Sequence, residues 1–302
     1  MPAHLTPVNG TRLFVDDRGP ADAPPVLFIH GGPGQSAFDF GHFQADHLAR
    51  HVRIIAVDQR GLLRSDPLPE GAEISTDAII ADYEALRQTL GISAWTIIGH
   101  SSGGHTAIRY AREHPTAVTA AVFDCPAFDC DLTDRHRLPI AAAILDEIGD
   151  HESAAACRAF AERPERLTAA DETYKVMQRI GARYNELFFR TPAAIEAFEK
   201  GQAESGFTRE QWARGLSHLP LVADMYIPTL DLLPGLTPPS MLVHGRHDLV
   251  AAPAVIDAYR ELAPGARVHT FEDSAHFPYI EEPEAYADVV SGFVLSATNL
   301  TR

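Results

Sequence analysis

Cysteine and lysine are scarce in this sequence, and long apolar runs are missing. The three cysteines, Cys125, Cys130 and Cys157, make an odd number with no CxxC pair. That argues against a disulfide framework or a cysteine-built zinc site. Lysine occurs only at Lys175 and Lys200, and no basic cluster forms among the 25 Lys and Arg residues. Set against 41 Asp and Glu, the net charge is −16. Nucleic acid and anionic membranes are therefore poor partners, because phosphate contacts need a basic face. No apolar stretch approaches the roughly 18 residues of a spanning helix. Met1-Pro2-Ala3-His4 has neither a basic n-region nor an apolar h-region. No secretory signal is expected there, and the expected location is cytoplasmic. Internal repeats and low-complexity tracts are also missing.

What is present is an ordinary globular composition. The chain has 302 residues, 45% hydrophobic and 22% charged. At about 150 residues per domain this means one or two domains, with enough chain for a large core. Asn9-Gly10 between short extended runs suits a type I′ hairpin turn. Val26–Ile29, Val52–Val57, Trp95–Ile98 and Ala117–Phe123 are short, Val- and Ile-rich and continuous. Strands covered on both faces read this way. Asp77–Leu90 places Ile79, Tyr83, Leu86 and Leu90 on one helical stripe, with Thr76 as the expected N-cap and Gly91 as C′. Alternating strand and helix signals point to an α/β fold with a mostly parallel sheet.

From Ala127 to Leu236 the rhythm changes to helix only, with helices expected over Ala141–Ile148, Ala154–Ala161, Asp171–Phe189 and Ala193–Gln202. The α/β pattern then resumes in Ser240–His244, Ala254–Leu262, Arg267–Phe271 and Pro283–Leu295. The expected architecture is one α/β core, residues 1–126 and 237–302, with a helical cap of residues 127–236 inserted after the fourth or fifth parallel strand. The cap carries 18 acidic and 12 basic residues and the core 23 and 13. The charge is spread evenly, so it reads as a solubilising surface and not as an attractor for cations.

Gly99-His100-Ser101-Ser102-Gly103 fits G-x-S-x-G between a strand and a helix. A serine on that sharp turn stands exposed above the sheet, and the helix N-terminus favours negative charge beside it. A serine hydroxyl needs a base to become a nucleophile. Asp248 follows the strand Ser240–His244, and His276 follows Arg267–Phe271. Ser101, Asp248 and His276 therefore occur in the chain order of this nucleophile arrangement. Asp124, at the end of the strand before the cap, is the alternative acid. His269 is a rival base, but it lies within a strand. His30-Gly31-Gly32-Pro33-Gly34 follows the strand Val26–Ile29 and is the loop expected to complete an oxyanion hole. The expected donors are the amides of Gly32 and Ser102.

The chain resembles the α/β-hydrolase superfamily, and within it the proline iminopeptidase family of serine aminopeptidases. The resemblance rests on His30–Gly34, Asp58-Gln59-Arg60-Gly61 followed by Arg64-Ser65, Ser101 in its turn, Asp248 and His276. It implies a helical cap over a buried site, no metal or organic cofactor, and release of an N-terminal residue from small peptides. The family usually reads DQRG-Ser-Gly-Arg-Ser, whereas Leu62 and Leu63 stand here at the Ser-Gly pair. Ser102 stands where Trp often follows the nucleophile. Cap glutamates hold the substrate amine in the family. Here Ala182–Phe189 is similar to that stretch, with Asn185 at the Glu position and Glu186 one residue later, about 100° round a helix.

Expected substrate contacts are Glu186, Glu204, His100 and Phe188, with Glu210 a further carboxylate. The cap aromatics Tyr174, Tyr184, Phe188, Phe189, Phe198, Phe207, Trp212 and Tyr226 form either an apolar pocket or cap core. His47 and His51, spaced i,i+4, read as a surface helix face and not a metal site, since no HExxH pattern accompanies them. The expected function is a serine hydrolase acting on a small peptide or amino-acid amide with a free amine. A small ester, lactone or amide without that amine is the alternative, and a non-catalytic ligand-binding relative is a third. Small molecules or short peptides are the expected partners; the sequence leaves the oligomeric state open.

Overall fold

The computed structural model describes residues 3–300; Met1 and Pro2, part of the N-terminal stretch weighed above, lie outside them. Eight strands form one sheet: β1 His4–Val8, β2 Thr11–Arg18, β3 Pro25–Ile29, β4 Arg53–Asp58, β5 Trp95–His100, β6 Val118–Asp124, β7 Ser240–Gly245 and β8 Arg267–Phe271. Their order is β1-β2-β4-β3-β5-β6-β7-β8. β1 and β2 pair antiparallel through Asn9 (φ 41°) and Gly10 (φ 77°), the left-handed pair that an Asn-Gly hairpin turn requires. β2 pairs antiparallel with β4, and from β4 onward every pairing is parallel.

The strand sequences explain their burial. Leu27, Ile29, Ile97 and Phe123 face one core with the helices Thr76–Thr89, Ser102–Glu113 and Pro253–Leu262. Val26, Phe28, Ile98 and Val122 face a second core with Phe38–Phe43, Ala45–Leu48 and Pro283–Leu300. Successive residues alternate between the faces and both faces are covered, so the strands have no polar side to show.

The direction of winding matters for the site. β3 lies between β4 and β5. The chain moves outward one way to β4 and then returns to the other side of β3 for β5. This reversal leaves a crevice at the carboxyl ends of β3 and β5, where open α/β sheets bind ligands. Ile29 is paired with Gly99, and His100 with Asp124, so the loop after β3, the turn after β5 and the end of β6 meet there.

Between β6 and β7 the described residues form helices and 3-10 turns. Four expectations fail locally. The helix starting near Ala141 begins at Cys130, where Asp129 accepts the Asp131 amide as a cap and Pro139 is accommodated inside. Asp171–Phe189 is not one helix: Glu172 (φ 49°) and Gly181 (φ 65°) break it into short α and 3-10 pieces. The N-cap of Thr76–Thr89 is Ser75, whose extended backbone lets its hydroxyl accept the Ala78 amide, while Thr76 is already helical and donates to Asp224. Similarly, His47 lies in a four-residue helix that ends at Leu48 and faces Glu284, so it shares no helix face with His51.

Glycine separates packing from propensity in two places. A Cβ on Gly103 would collide with the Ile29 carbonyl oxygen, whereas one on Gly292, in the exposed face of the last helix, meets nothing. Gly103→Ala is expected to lower unfolding free energy by about 3 kcal/mol or more. Gly292→Ala should raise it by roughly 0.5–1 kcal/mol. Urea denaturation of both variants checks the pair, and equal effects would contradict this packing.

Candidate active site

Ser101 sits where β5 passes into the helix Ser102–Glu113, with φ 55° and ψ −125°. A non-glycine residue there is strained and must be held by its surroundings. Its amide donates to the Asp124 carbonyl (2.9 Å), and its carbonyl accepts from Gly104 (2.9 Å) and Ala127 (3.0 Å). The glycines around it are steric necessities. A Cβ on Gly31 would lie 2.7 Å from Ser101 Cβ, and one on Gly99 would lie 2.6 Å from Ala107 Cβ.

The loop after β3 is braced from behind. Burial pushes the His30 pKa down to about 4, so its ring is neutral and carries one donor and one acceptor. Nδ1 donates to the Gly31 carbonyl (3.0 Å), and Nε2 accepts from the Gln59 amide (3.3 Å). The buried Asp58 carboxylate accepts the Ala37 amide (2.9 Å) and both Nε and Nη2 of Arg64 (2.6 and 2.9 Å). Ser65 donates to the Asp58 carbonyl, and Arg60 pairs with Asp82. Asp58-Gln59-Arg60-Gly61 and Arg64-Ser65 thus hold the loop without lining the cavity. Leu62 and Leu63 are buried, and Leu63 takes φ 29° where the resembled family has glycine.

Asp248 and His276 are both buried. His276 Nδ1 donates to Asp248 Oδ1 (3.0 Å). The Asp248 oxygens also accept the amides of Val250 (2.8 Å) and Ala251 (3.2 Å). Burial alone would raise the Asp248 pKa, but the His276 ring and those two amides hold it below the ordinary carboxylate value. The backbone of His276 is fastened to the Phe188 carbonyl (2.9 Å). Ser101, His276 and Gly32 line a single cavity of about 460 Å³. Ser102 opens the helix, so its amide is among those with no intrahelical partner.

Asp124 is engaged elsewhere. It accepts from His100 Nδ1 (3.0 Å) and from the Tyr286 hydroxyl (3.1 Å), not from His276. His100 is expected above to touch substrate; instead it is buried beside the His276 ring, centroids 4.7 Å apart, and outside the cavity lining. His269 packs edge-on against Phe271 within β8. The two expected glutamates are corrected as well. Glu186 lies three residues after Arg183 and pairs with it (2.7 and 2.8 Å) on an outward face. Glu204 is two-thirds exposed opposite Lys200. Phe188 does line the cavity, with Tyr174, Tyr184, Phe189, Phe198 and Tyr226, whereas Phe207 and Trp212 pack on Phe38.

The sequence reading missed a polar group in the cavity wall. Asp134 and Arg137 lie three residues apart on the helix Cys130–Glu147, with Thr173 and Tyr226 facing them. Asp134 Oδ1 accepts from Arg137 Nε (3.1 Å) and Nη2 (2.8 Å). Its Oδ2 accepts from Thr173 (2.6 Å) and Tyr226 (2.5 Å). The D-x-x-R spacing was readable, but only once the helix is seen to begin at Cys130. Among the described residues, the one cluster with metal-ligand spacing is Cys125, Asp248 and His276. There burial raises the Cys125 pKa well above its ordinary value, so the thiol stays protonated.

Comparison with known proteins agrees with this fold. Residues 24–283 match the family described as alpha/beta hydrolase fold. The proline iminopeptidase of Heyndrickxia coagulans is 27% identical over 273 residues, 90% of this chain and 91% of that protein. The crystal structure of a proline iminopeptidase-related protein of Thermus thermophilus superposes with a TM-score of 0.78 at 23% identity, covering 98% of this chain and 97% of the other. That of the Mycobacterium smegmatis proline iminopeptidase gives 0.73 at 21% identity and covers both chains fully. The chain belongs to the alpha/beta hydrolase fold family. It is a serine hydrolase of that fold.

The electrostatics of His276 can be measured directly. Burial lowers its pKa, and Asp248 opposes that shift. An NMR titration should give a midpoint below the ordinary value near 6.5. Asp248→Asn removes the opposing charge, so the midpoint should fall further. A midpoint above 6.5 in the unsubstituted protein, or a rise in the variant, would contradict the arrangement.

Proposed function

We propose that the protein hydrolyses small peptides or amino-acid amides through an acyl-enzyme on Ser101, in the manner of a proline-iminopeptidase-like aminopeptidase or amidase. The observation that carries this reading is the placement of strained Ser101 and Asp248-bonded His276 in the wall of one cavity. Ser101 Oγ attacks the carbonyl carbon while His276 takes its proton. His276 then returns the proton to the leaving amine, and water repeats the sequence to release the acid. Asp248 fixes the tautomer in which Nε2 of His276 is free to act as base, and it stabilises the imidazolium. The amides of Gly32 and Ser102 receive the charge that develops on the carbonyl oxygen.

A second reading is favoured by the cavity wall. Asp134 is the one carboxylate among the described lining residues, and its oxygens already accept four hydrogen bonds. A substrate ammonium therefore finds no vacant carboxylate there. On this reading the substrate is a small ester, lactone or amide with no free-amine requirement.

Ser101→Ala should lower hydrolysis of an activated ester by about 10⁴-fold or more. It should also abolish labelling by a fluorophosphonate, which reacts with the unsubstituted protein. Full activity in a clean Ser101→Ala preparation would overturn the mechanism. The two substrate readings part on prolyl 4-nitroanilide and its N-acetyl form. An amine requirement predicts a drop of roughly 100-fold in kcat/KM on acetylation, the size expected for losing a charged hydrogen bond. The second reading predicts near equality.

A further inference from the structure

We propose that Arg137 is a specificity-determining residue that receives a carboxylate of the substrate on its Nη1 edge. The inference rests on the reading of the cavity as the active site.

Arg137 shares the lining of that cavity with Ser101 and His276. Its side chain is mostly buried, with 15% exposed. Asp134 holds it through Nε and Nη2, both directed at the same oxygen, Oδ1. A guanidinium presents five N–H donors in a rigid plane. Clamping Nε and Nη2 fixes that plane and leaves Nη1 with no acceptor among the described residues. Asp134 is in turn locked by Thr173 and Tyr226 on its other oxygen, so the pair has little freedom to swing away.

Such a group is built for an acceptor that arrives with the ligand. The wall holds no Lys, no Glu and no second Arg among the described lining residues. An ion pair buried in the wall of such a cavity costs desolvation energy. If it served the fold alone, all its donors would be expected to be satisfied within the protein. A carboxylate suits the vacant edge better than a neutral carbonyl, because it adds the attraction of a full opposite charge to the hydrogen bond that either acceptor would make. The carboxylate can reach Arg137 from either side of the scissile bond. It is then the C-terminus of a short peptide, on the leaving group, or a terminal carboxylate on the acyl group.

The test uses two substrate pairs that differ only in that charge. One is 4-nitrophenyl hydrogen glutarate against its methyl ester, which places the carboxylate on the acyl side. The other is prolylalanine against prolylalaninamide, which places it on the leaving side. At least one pair should favour the free carboxylate by about 10-fold or more in kcat/KM, mainly through KM. The pair that does so identifies the side. In Arg137→Met that ratio should collapse towards one, and Arg137→Lys should retain part of it. Fluorophosphonate labelling of Ser101 is run on every protein, so a misfolded variant is recognised. The Lys variant and the unsubstituted protein still decide the question if the Met variant fails to fold. Normal labelling with no preference in either pair overturns the role of Arg137 and leaves the hydrolase reading standing. A preference that survives in Arg137→Met overturns it as well. Loss of labelling in the unsubstituted protein overturns both.

Discussion

The site depends on one steric fact: backbone approaches backbone around Ser101 more closely than any side chain would permit. Gly31 lies against Ser101, Gly99 against Gly103 and Ala107, and Gly103 against Ile29. These contacts bring the end of β3 to the end of β5 at the point where the sheet winding reverses. They also hold the positive φ of Ser101, which an isolated chain would relax. The hydroxyl is therefore aimed by backbone packing and not by its own side-chain contacts.

The supporting shell is polar where the turn itself is steric. Asp58 joins Ala37 to Arg64, His30 joins its own loop to Gln59, and Gln59 reaches Tyr83. All of these lie behind the cavity. A neutral His30 is essential to that arrangement, because only the neutral ring can donate at Nδ1 and accept at Nε2 together. The loop then meets the helical insertion directly. Cβ atoms on Gly34 or Gly215 would each collide with the backbone of the other. The insertion is thus seated on the loop after β3 with no side chain between Gly34 and Gly215.

Much of this was legible in the sequence, and the limits have physical causes. Continuous apolar runs rich in Val and Ile marked β3 to β6, because burial on both faces removes polar residues, whereas β8, Arg267–Phe271, is half-exposed and carries Arg, His and Thr. The sharp turn at Ser101 and the chain order Ser101, Asp248, His276 were legible because each residue follows a strand. The structure brings Asp248 and His276 together and sends Asp124 to His100. The helices between β6 and β7 were harder. Glu172 takes a left-handed conformation with no glycine to announce it, and Pro139 hides the true extent of its helix. The substrate contacts were least legible. Glu186 and Glu204 were chosen by residue type, yet orientation round a helix decides whether a carboxylate meets a cavity or solvent. Arg183 and Lys200, each within one helical turn, hold them on the outside.

The same reasoning resolves the acidic composition. A net charge of −16 invites a cationic ligand, but long-range surface charge is screened within about 8–10 Å at physiological ionic strength. What a substrate meets at close range is the cavity wall. There one carboxylate is matched by one guanidinium, and the carboxylate has all its lone-pair directions engaged while the guanidinium does not. The local preference can therefore oppose the global charge. Screening weakens the surface field, while the low dielectric of the pocket strengthens the contact with Arg137. Overall acidity then works against encounter with an anionic substrate at low salt, and the pocket works in favour of holding it once inside.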